Sequence, residues 1–162
     1  MTMKAKTTPA KPAPAPHPTI LLVDDEPSVR EMLGRVLTEE GYVVLCACDG
    51  LEAVSIAETN QIGLVILDLQ MPRQSGWDTY EKFTHTHPLV PIIIVTARPN
   101  QLFTAVGAGV GALLEKPFDI PTLLANVKRL LTESEDTRLA RLAGEEEVFH
   151  YAAAHPTQPN SR

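Results

Sequence analysis

The chain has no long apolar run, very little cysteine and no concentration of positive charge, and each absence narrows what it can be. Its longest apolar stretches are a few residues, whereas crossing a bilayer as a helix takes about 20, so no membrane partner is expected. The N-terminus is basic, with Lys4, Lys6 and Lys11, but Ala-Pro repeats follow where a secretory leader would carry an apolar core. The expected location is therefore cytoplasmic. The two cysteines, Cys46 and Cys48, alternate on an expected strand and so share a face. Neighbours on one strand are poor disulfide partners, and a reducing cytosol disfavours the bond. A lone C-x-C is also weak as a metal site, so both read as ordinary strand residues. The net charge is −6, with much of the acidity at Glu133, Glu135, Asp136 and Glu145 to Glu147. Nothing resembles the basic patch of a nucleic-acid binder, and no nucleic-acid partner is expected.

What remains is a length of 162 residues and a hydrophobic share of 44%, enough for one ordinary domain with tails. Residues 1–18 are rich in Ala, Pro and Lys with nothing to bury, and read as a disordered or extended tail. From Thr19, short apolar runs alternate with helical patterns, the mark of βαβ units around a parallel sheet. The expected strands are Thr19 to Val23, Tyr42 to Cys48, Leu64 to Leu67, Ile92 to Val95 and Ala112 to Leu114. Their near-continuous apolarity fits strands covered on both faces.

Helical stripes lie between them: Val29, Leu33, Val36 and Leu37, ended by Gly41; Ala53, Val54 and Ala57; Trp77, Tyr80 and Phe83. A short fourth helix is expected to open at Pro99-Asn100 with Leu102 and Val106, and a fifth carries Leu123, Leu124, Val127, Leu130 and Leu131. This domain covers residues 19–132. Residues 133–162 read as an extension in which Leu139, Leu142 and Phe149 fall at rough helical spacing, with a polar, disordered end from His155.

Four positions that could hold a phosphoryl group follow four of those strands: Asp24-Asp25, Asp68, Thr96 and Lys116. In an open parallel sheet the ligand crevice lies outside that carboxyl edge, so residues far apart in sequence converge there. Three gathered carboxylates repel, each pair at about 4 Å costing roughly 4 kcal/mol at an effective dielectric near 20. A hard divalent cation removes that penalty, and Mg²⁺ suits few carboxylates plus phosphate. Asp68 could then act as a nucleophile, since carboxylates form acyl phosphates. Lys116 and the cation would neutralise the phosphoryl oxygens, and the Thr96 hydroxyl would add a hydrogen bond. Taken singly, Asp24-Asp25 could merely cap a helix, and Asp68, Thr96 or Lys116 would carry no meaning; their coincidence does.

Leu21-Leu22-Val23-Asp24-Asp25-Glu26, Asp68-Leu69-Gln70-Met71-Pro72 with Gly76, Thr96-Ala97-Arg98 and Lys116-Pro117-Phe118 resemble the response regulator receiver domain of two-component regulatory systems. The resemblance runs from about Pro18 to Thr132. It implies a flavodoxin-like, doubly wound α/β fold with a five-stranded parallel sheet of order 2-1-3-4-5. It also implies phosphorylation of Asp68 by a histidine kinase or a phosphorelay protein. Mg²⁺ would be held by Asp25, Asp68 and the Gln70 main-chain carbonyl, with Asp24 acting through water, and Lys116-Pro117 would be cis. The protein would then be a stand-alone phosphoacceptor signalling by protein contact to a downstream protein, and not a turnover enzyme.

Two features depart from the family pattern. Leu113 stands three residues before the lysine, where the family usually has an aromatic, and the stretch from Thr96 to Lys116 looks about two residues short. Output through the fourth helix, fifth strand and fifth helix with a smaller shift is therefore expected. The same features keep open a phosphate-independent docking module. A phosphatase of the haloacid dehalogenase type needs a second acid two residues after the nucleophile, and Gln70 stands there instead. His85 and His87 read as an exposed helix end. Gln70 and Arg98 stand where the resemblance places residues flanking the attacking water; Arg98 could screen the phosphoryl group or extend into solvent, and solvent is the favoured reading.

Overall fold

A computed structural model describes residues 17–72, 75–98, 100–144 and 149–155. The tail before residue 17, residues 73–74, Pro99, residues 145–148 and the end after His155 lie outside the described residues. Among the described residues six strands form one parallel sheet: β1 (Thr19–Val23), β2 (Val43–Ala47), β3 (Leu64–Asp68), β4 (Ile92–Thr96), β5 (Ala112–Glu115) and β6 (His150–Ala152). Their order is β2-β1-β3-β4-β5-β6, which contains the expected 2-1-3-4-5 arrangement and adds a strand at the β5 edge. The helices are α1 (Pro27–Glu39), α2 (Gly50–Thr59), α3 (Gly76–Thr86), α4 (Leu102–Gly107), α5 (Ile120–Leu131) and α6 (Glu135–Leu142). Among the described residues no helix is long and apolar enough to cross a membrane.

Strands β1, β3 and β4 are almost wholly apolar because both faces are covered, and alternate residues of the sheet feed two core layers. Leu21, Val23, Val65, Leu67, Ile92, Ile94 and Leu113 pack with Ala53 and Ala57 of α2, Tyr80 and Phe83 of α3 and Ala105 of α4. Ile20, Leu22, Leu64, Ile66, Ile93, Val95, Ala112 and Leu114 pack with Leu33 and Leu37 of α1 and Leu123, Val127 and Leu130 of α5. Helices therefore lie on both faces, as a doubly wound sheet requires.

Local chemistry sets the helix ends. Asp49, Ser75, Asp119 and Ser134 each accept a backbone N–H at the start of α2, α3, α5 and α6. Gly41, at φ +90°, ends α1 in a Schellman turn, with its N–H on the Thr38 carbonyl and the Tyr42 N–H on that of Leu37.

Three expectations shift. Asp68 and Thr96 are the last residues of β3 and β4, not the first beyond them. Strand β2 stops at Ala47, so Cys48 lies just past it, and both cysteines are free and exposed. Phe149, placed by spacing on one helix with Leu139 and Leu142, lies beyond α6 and packs on a core layer. A three-residue strand follows it, which apolar patterning did not announce.

Candidate functional site

Register carries the site together. Val23 is paired with Leu67, Asp68 with Val95, and Thr96 with Glu115, so Asp24, Asp68, Thr96 and Lys116 emerge from adjacent strands at one edge. Asp24, Asp68 and Thr96 are buried there, with Asp25 more open to solvent than either carboxylate. One carboxylate oxygen from each of Asp24, Asp25 and Asp68 lies within 4.8 Å of the others. The Lys116 ammonium donates to Asp68 Oδ2 at 2.9 Å and to Asp24 Oδ2 at 3.4 Å. The Lys116-Pro117 peptide bond is cis.

Backbone groups fix the carboxylates from the other side. The Gln70 N–H donates to Asp68 Oδ1 at 2.8 Å, and the Glu26 N–H to Asp24 Oδ1 at 2.9 Å. The Thr96 Oγ accepts the Arg98 N–H at 2.9 Å, which leaves its own proton to donate. Electrostatics follow from burial and crowding. Burial raises the Asp24 pKa and the neighbouring Asp68 charge adds to it, while the Glu26 N–H and Lys116 work the other way. Burial also opposes the charge on Lys116. Its hydrogen bond to Asp68 and the charges of Asp68 and Asp24 outweigh that, so its pKa lies above the usual lysine value.

Three carboxylates against one contacting ammonium leave two negative charges at the cluster. All donors are hard oxygens. That set suits a divalent cation of the Mg²⁺ class, which takes carboxylates while keeping its own waters.

One support escaped the sequence reading, and a second, Gly76, stood there only as part of the motif. The Arg30 guanidinium donates to the Asp24 carbonyl at 2.6 Å. Its position one helical turn after Glu26 was the available signal. Gly76 opens α3 directly against the loop after β3. A methyl at Gly76 would sit 2.3 Å from Leu69 Cα and 2.8 Å from the Asp68 carbonyl oxygen. Only glycine lets the helix start that close to the Asp68 backbone.

The other sequence candidates fall elsewhere. The Arg98 and Gln70 residues are exposed at the rim. Leu113 is fully buried in the core. His85 is exposed, and His87 stacks on Phe83 at 4.9 Å, so neither joins the site. A groove between α2 and α3, lined by Leu51, Val54, Glu58, Asp78 and Glu81, holds none of the site residues.

Known proteins share this sequence pattern and fold. The family described as "Response regulator receiver domain" matches residues 20–128. The response regulator MprA of Mycobacterium sp. (strain KMS) is 40% identical over 114 residues, 69% of this chain and 50% of MprA. The transcriptional regulatory protein CpxR of Escherichia coli (strain K12) is 37% identical over 117 residues, 71% of this chain and 50% of CpxR. The chain thus spans about half the length of the curated relatives it matches. Among solved structures, response regulator TrrA of Thermotoga maritima in complex with Mg(2+)-BeF is 34% identical with a TM-score of 0.65. That match covers 70% of this chain and 98% of TrrA. The chemotaxis response regulator CheY4 of Vibrio cholerae is 30% identical, with a TM-score of 0.64 and the same coverages.

Proposed function

The chain belongs to the response regulator receiver family, and from that premise we propose that Asp68 accepts a phosphoryl group from a sensor histidine kinase or a phosphotransfer protein in the cytoplasm. The observation that carries this is the environment of Asp68. It is a buried carboxylate at the carboxyl edge of a parallel sheet, held by the Gln70 N–H and the Lys116 ammonium, with two further carboxylates within 4.8 Å.

In the transfer, an Asp68 oxygen forms a bond to phosphorus as the donor's P–N bond breaks. The electron pair leaves with the imidazole nitrogen, and the product is an acyl phosphate on Asp68. Lys116 follows the charge from the carboxylate to the phosphoryl oxygens, and the Thr96 hydroxyl donates to one of them. Asp24, Asp25, Asp68 and the Gln70 main-chain carbonyl are the groups that would hold Mg²⁺. When bound, Mg²⁺ supplies charge neutralisation of the phosphoryl oxygens and of the carboxylates.

The protein is then a phosphoacceptor that transmits the signal by contact with another protein, and not an enzyme acting repeatedly on a separate substrate. Gln70 bears on that point. Two residues after the nucleophile it offers no proton for a leaving group, so phosphate-ester hydrolysis lacks its general acid.

The test is intact mass after incubation with acetyl phosphate and Mg²⁺, beside Asp68→Asn. The expected result is a Mg²⁺-dependent gain of one phosphoryl group by the wild type and none by the variant. No gain under conditions that label another receiver would refute phosphoacceptance and leave a docking module independent of phosphate.

A further inference from the structure

The segment after α5 takes no part in the phosphoacceptor chemistry, yet it is built into the fold and ends beside the site. Helix α6 is anchored by Arg141, which is buried and bonds the Gly109 carbonyl and, at 3.0 Å, the Glu133 carboxylate. Phe149 then packs on one core layer and Ala152 on the other, across the edge of the sheet. Strand β6 runs parallel to β5, with His150, Tyr151 and Ala152 beside Ala112, Leu113 and Leu114. A parallel strand exits where its neighbour exits, so the residues after β6 arrive at the carboxyl edge next to Lys116.

There they grip the chain on both sides of that lysine. The Tyr151 hydroxyl donates to Glu115 Oε1 at 2.9 Å, and the Ala154 N–H to Glu115 Oε2 at 3.4 Å. The His155 N–H donates to the Pro117 carbonyl at 2.9 Å, and His155 Nε2 lies 2.6 Å from Asp119 Oδ2. The strand is fixed by buried anchors. Its far end is held by exposed polar contacts, each of them weak, and such an end can dock and release without unfolding the domain.

We propose that residues 149–155 are an autoinhibitory strap, whose docking opposes phosphorylation of Asp68 and whose far end is released by it. The proposal rests on Asp68 being the phosphoacceptor. Docked, the strap holds residues 115–119 in the arrangement that places the Lys116 ammonium on Asp68 Oδ2 and Asp24 Oδ2. A phosphoryl group on Asp68 takes up that oxygen, and the ammonium must move to the new phosphoryl oxygens. The Pro117 ring fixes the next φ, so displacement of Lys116 passes to the Pro117 carbonyl instead of being absorbed. That carbonyl and the Glu115 and Asp119 side chains are the strap's attachment points. Coupling of this kind is reciprocal: whatever loosens the strap strengthens binding at Asp68.

The experiment titrates beryllofluoride with Mg²⁺ into the full chain by calorimetry, comparing wild type with the double variant Tyr151→Ala/His155→Ala. Both positions are exposed and outside the site, and melting curves check the fold. The variant is expected to bind about fivefold tighter or more, the lower end of ordinary coupling between sites. Hydrogen exchange of residues 150–155 in the wild type is expected to speed up when beryllofluoride is added. Equal affinities, or tighter binding by the wild type, would overturn the strap. If the variant does not fold, the wild-type exchange decides, and unchanged or slower exchange overturns it. A wild type that binds no beryllofluoride and takes no phosphoryl group refutes the phosphoacceptor reading, and the strap's coupling falls with it.

Discussion

Replacing Asp25 by Asn removes one charge from a crowded cluster while keeping its shape, and the outcome depends on whether a divalent cation is present. At the 4.8 Å limit for the cluster and an effective dielectric of ~20, each pair of carboxylates repels by about 3.5 kcal/mol. Asp25 takes part in two such pairs, for about 7 kcal/mol before compensation. The Lys116 ammonium offsets much of this, and solvent screens the more open Asp25, which leaves a net penalty of about 1–2 kcal/mol.

In EDTA, Asp25→Asn is therefore expected to be more stable than wild type, with a Tm higher by roughly 3–10 °C for a domain of this size. Added Mg²⁺ should cancel most of the advantage. For a Kd of about 1 mM, a concentration of 10 mM stabilises the wild type by about 1.4 kcal/mol, while a variant short of a ligand gains far less. Thermal melts of both proteins with and without Mg²⁺ read this directly. Equal Tm values in EDTA, or an equal gain from Mg²⁺ in both proteins, would refute the picture of three crowded carboxylates built around a cation.

Three further outcomes follow from the geometry. Gly76→Ala places a methyl against the Leu69 and Asp68 backbone. It should destabilise by about 1–3 kcal/mol in denaturant unfolding and slow labelling by acetyl phosphate, since the Asp68 segment is what must give. Lys116→Ala should slow that labelling about a hundredfold at unchanged Mg²⁺, as loss of a positioned charge donor does elsewhere; a rate within a few-fold of wild type would remove Lys116 from its role. The Thr122 N–H, the Thr122 hydroxyl and His155 together lower the Asp119 pKa to about 2. A depressed carboxylate contributes stability above its unfolded pKa and loses it as pH falls through the folded value. Stability should thus decline between about pH 4 and pH 2, and Asp119→Asn should flatten that limb in an acid titration followed by circular dichroism.

Much of this molecule was legible in the order of its residues. Runs such as Leu64 to Leu67 and Ile92 to Val95 are apolar at every position because helices cover both sheet faces, and that requirement shows locally. Gly41 marks the end of α1 because its φ of +90° favours glycine. The site was legible for a related reason: a parallel sheet delivers the residue at each strand's end to one edge, so Asp24, Asp68, Thr96 and Lys116 could be gathered by counting strands.

Strand β6 could not be found that way. His150-Tyr151-Ala152 carries no apolar run, and it is a strand because the β5 edge beside it offers unpaired backbone groups. The pairing spans nearly forty residues of chain, as register Ala112 to His150 shows. Phe149 was assigned to a helix on spacing alone, since periodicity cannot tell a helical neighbour from a side chain that reaches the core after a turn. The grip of Glu115, Pro117 and Asp119 on the strap, the Arg30 bond to the Asp24 carbonyl and the closeness of Gly76 to Leu69 are likewise products of packing. The sequence by itself determined the layered sheet and which side chains meet at its carboxyl edge, because both depend on local periodicity and strand ends. Only the tertiary structure decided what lies against that edge, because such contacts join segments whose separation in the chain carries no local signal.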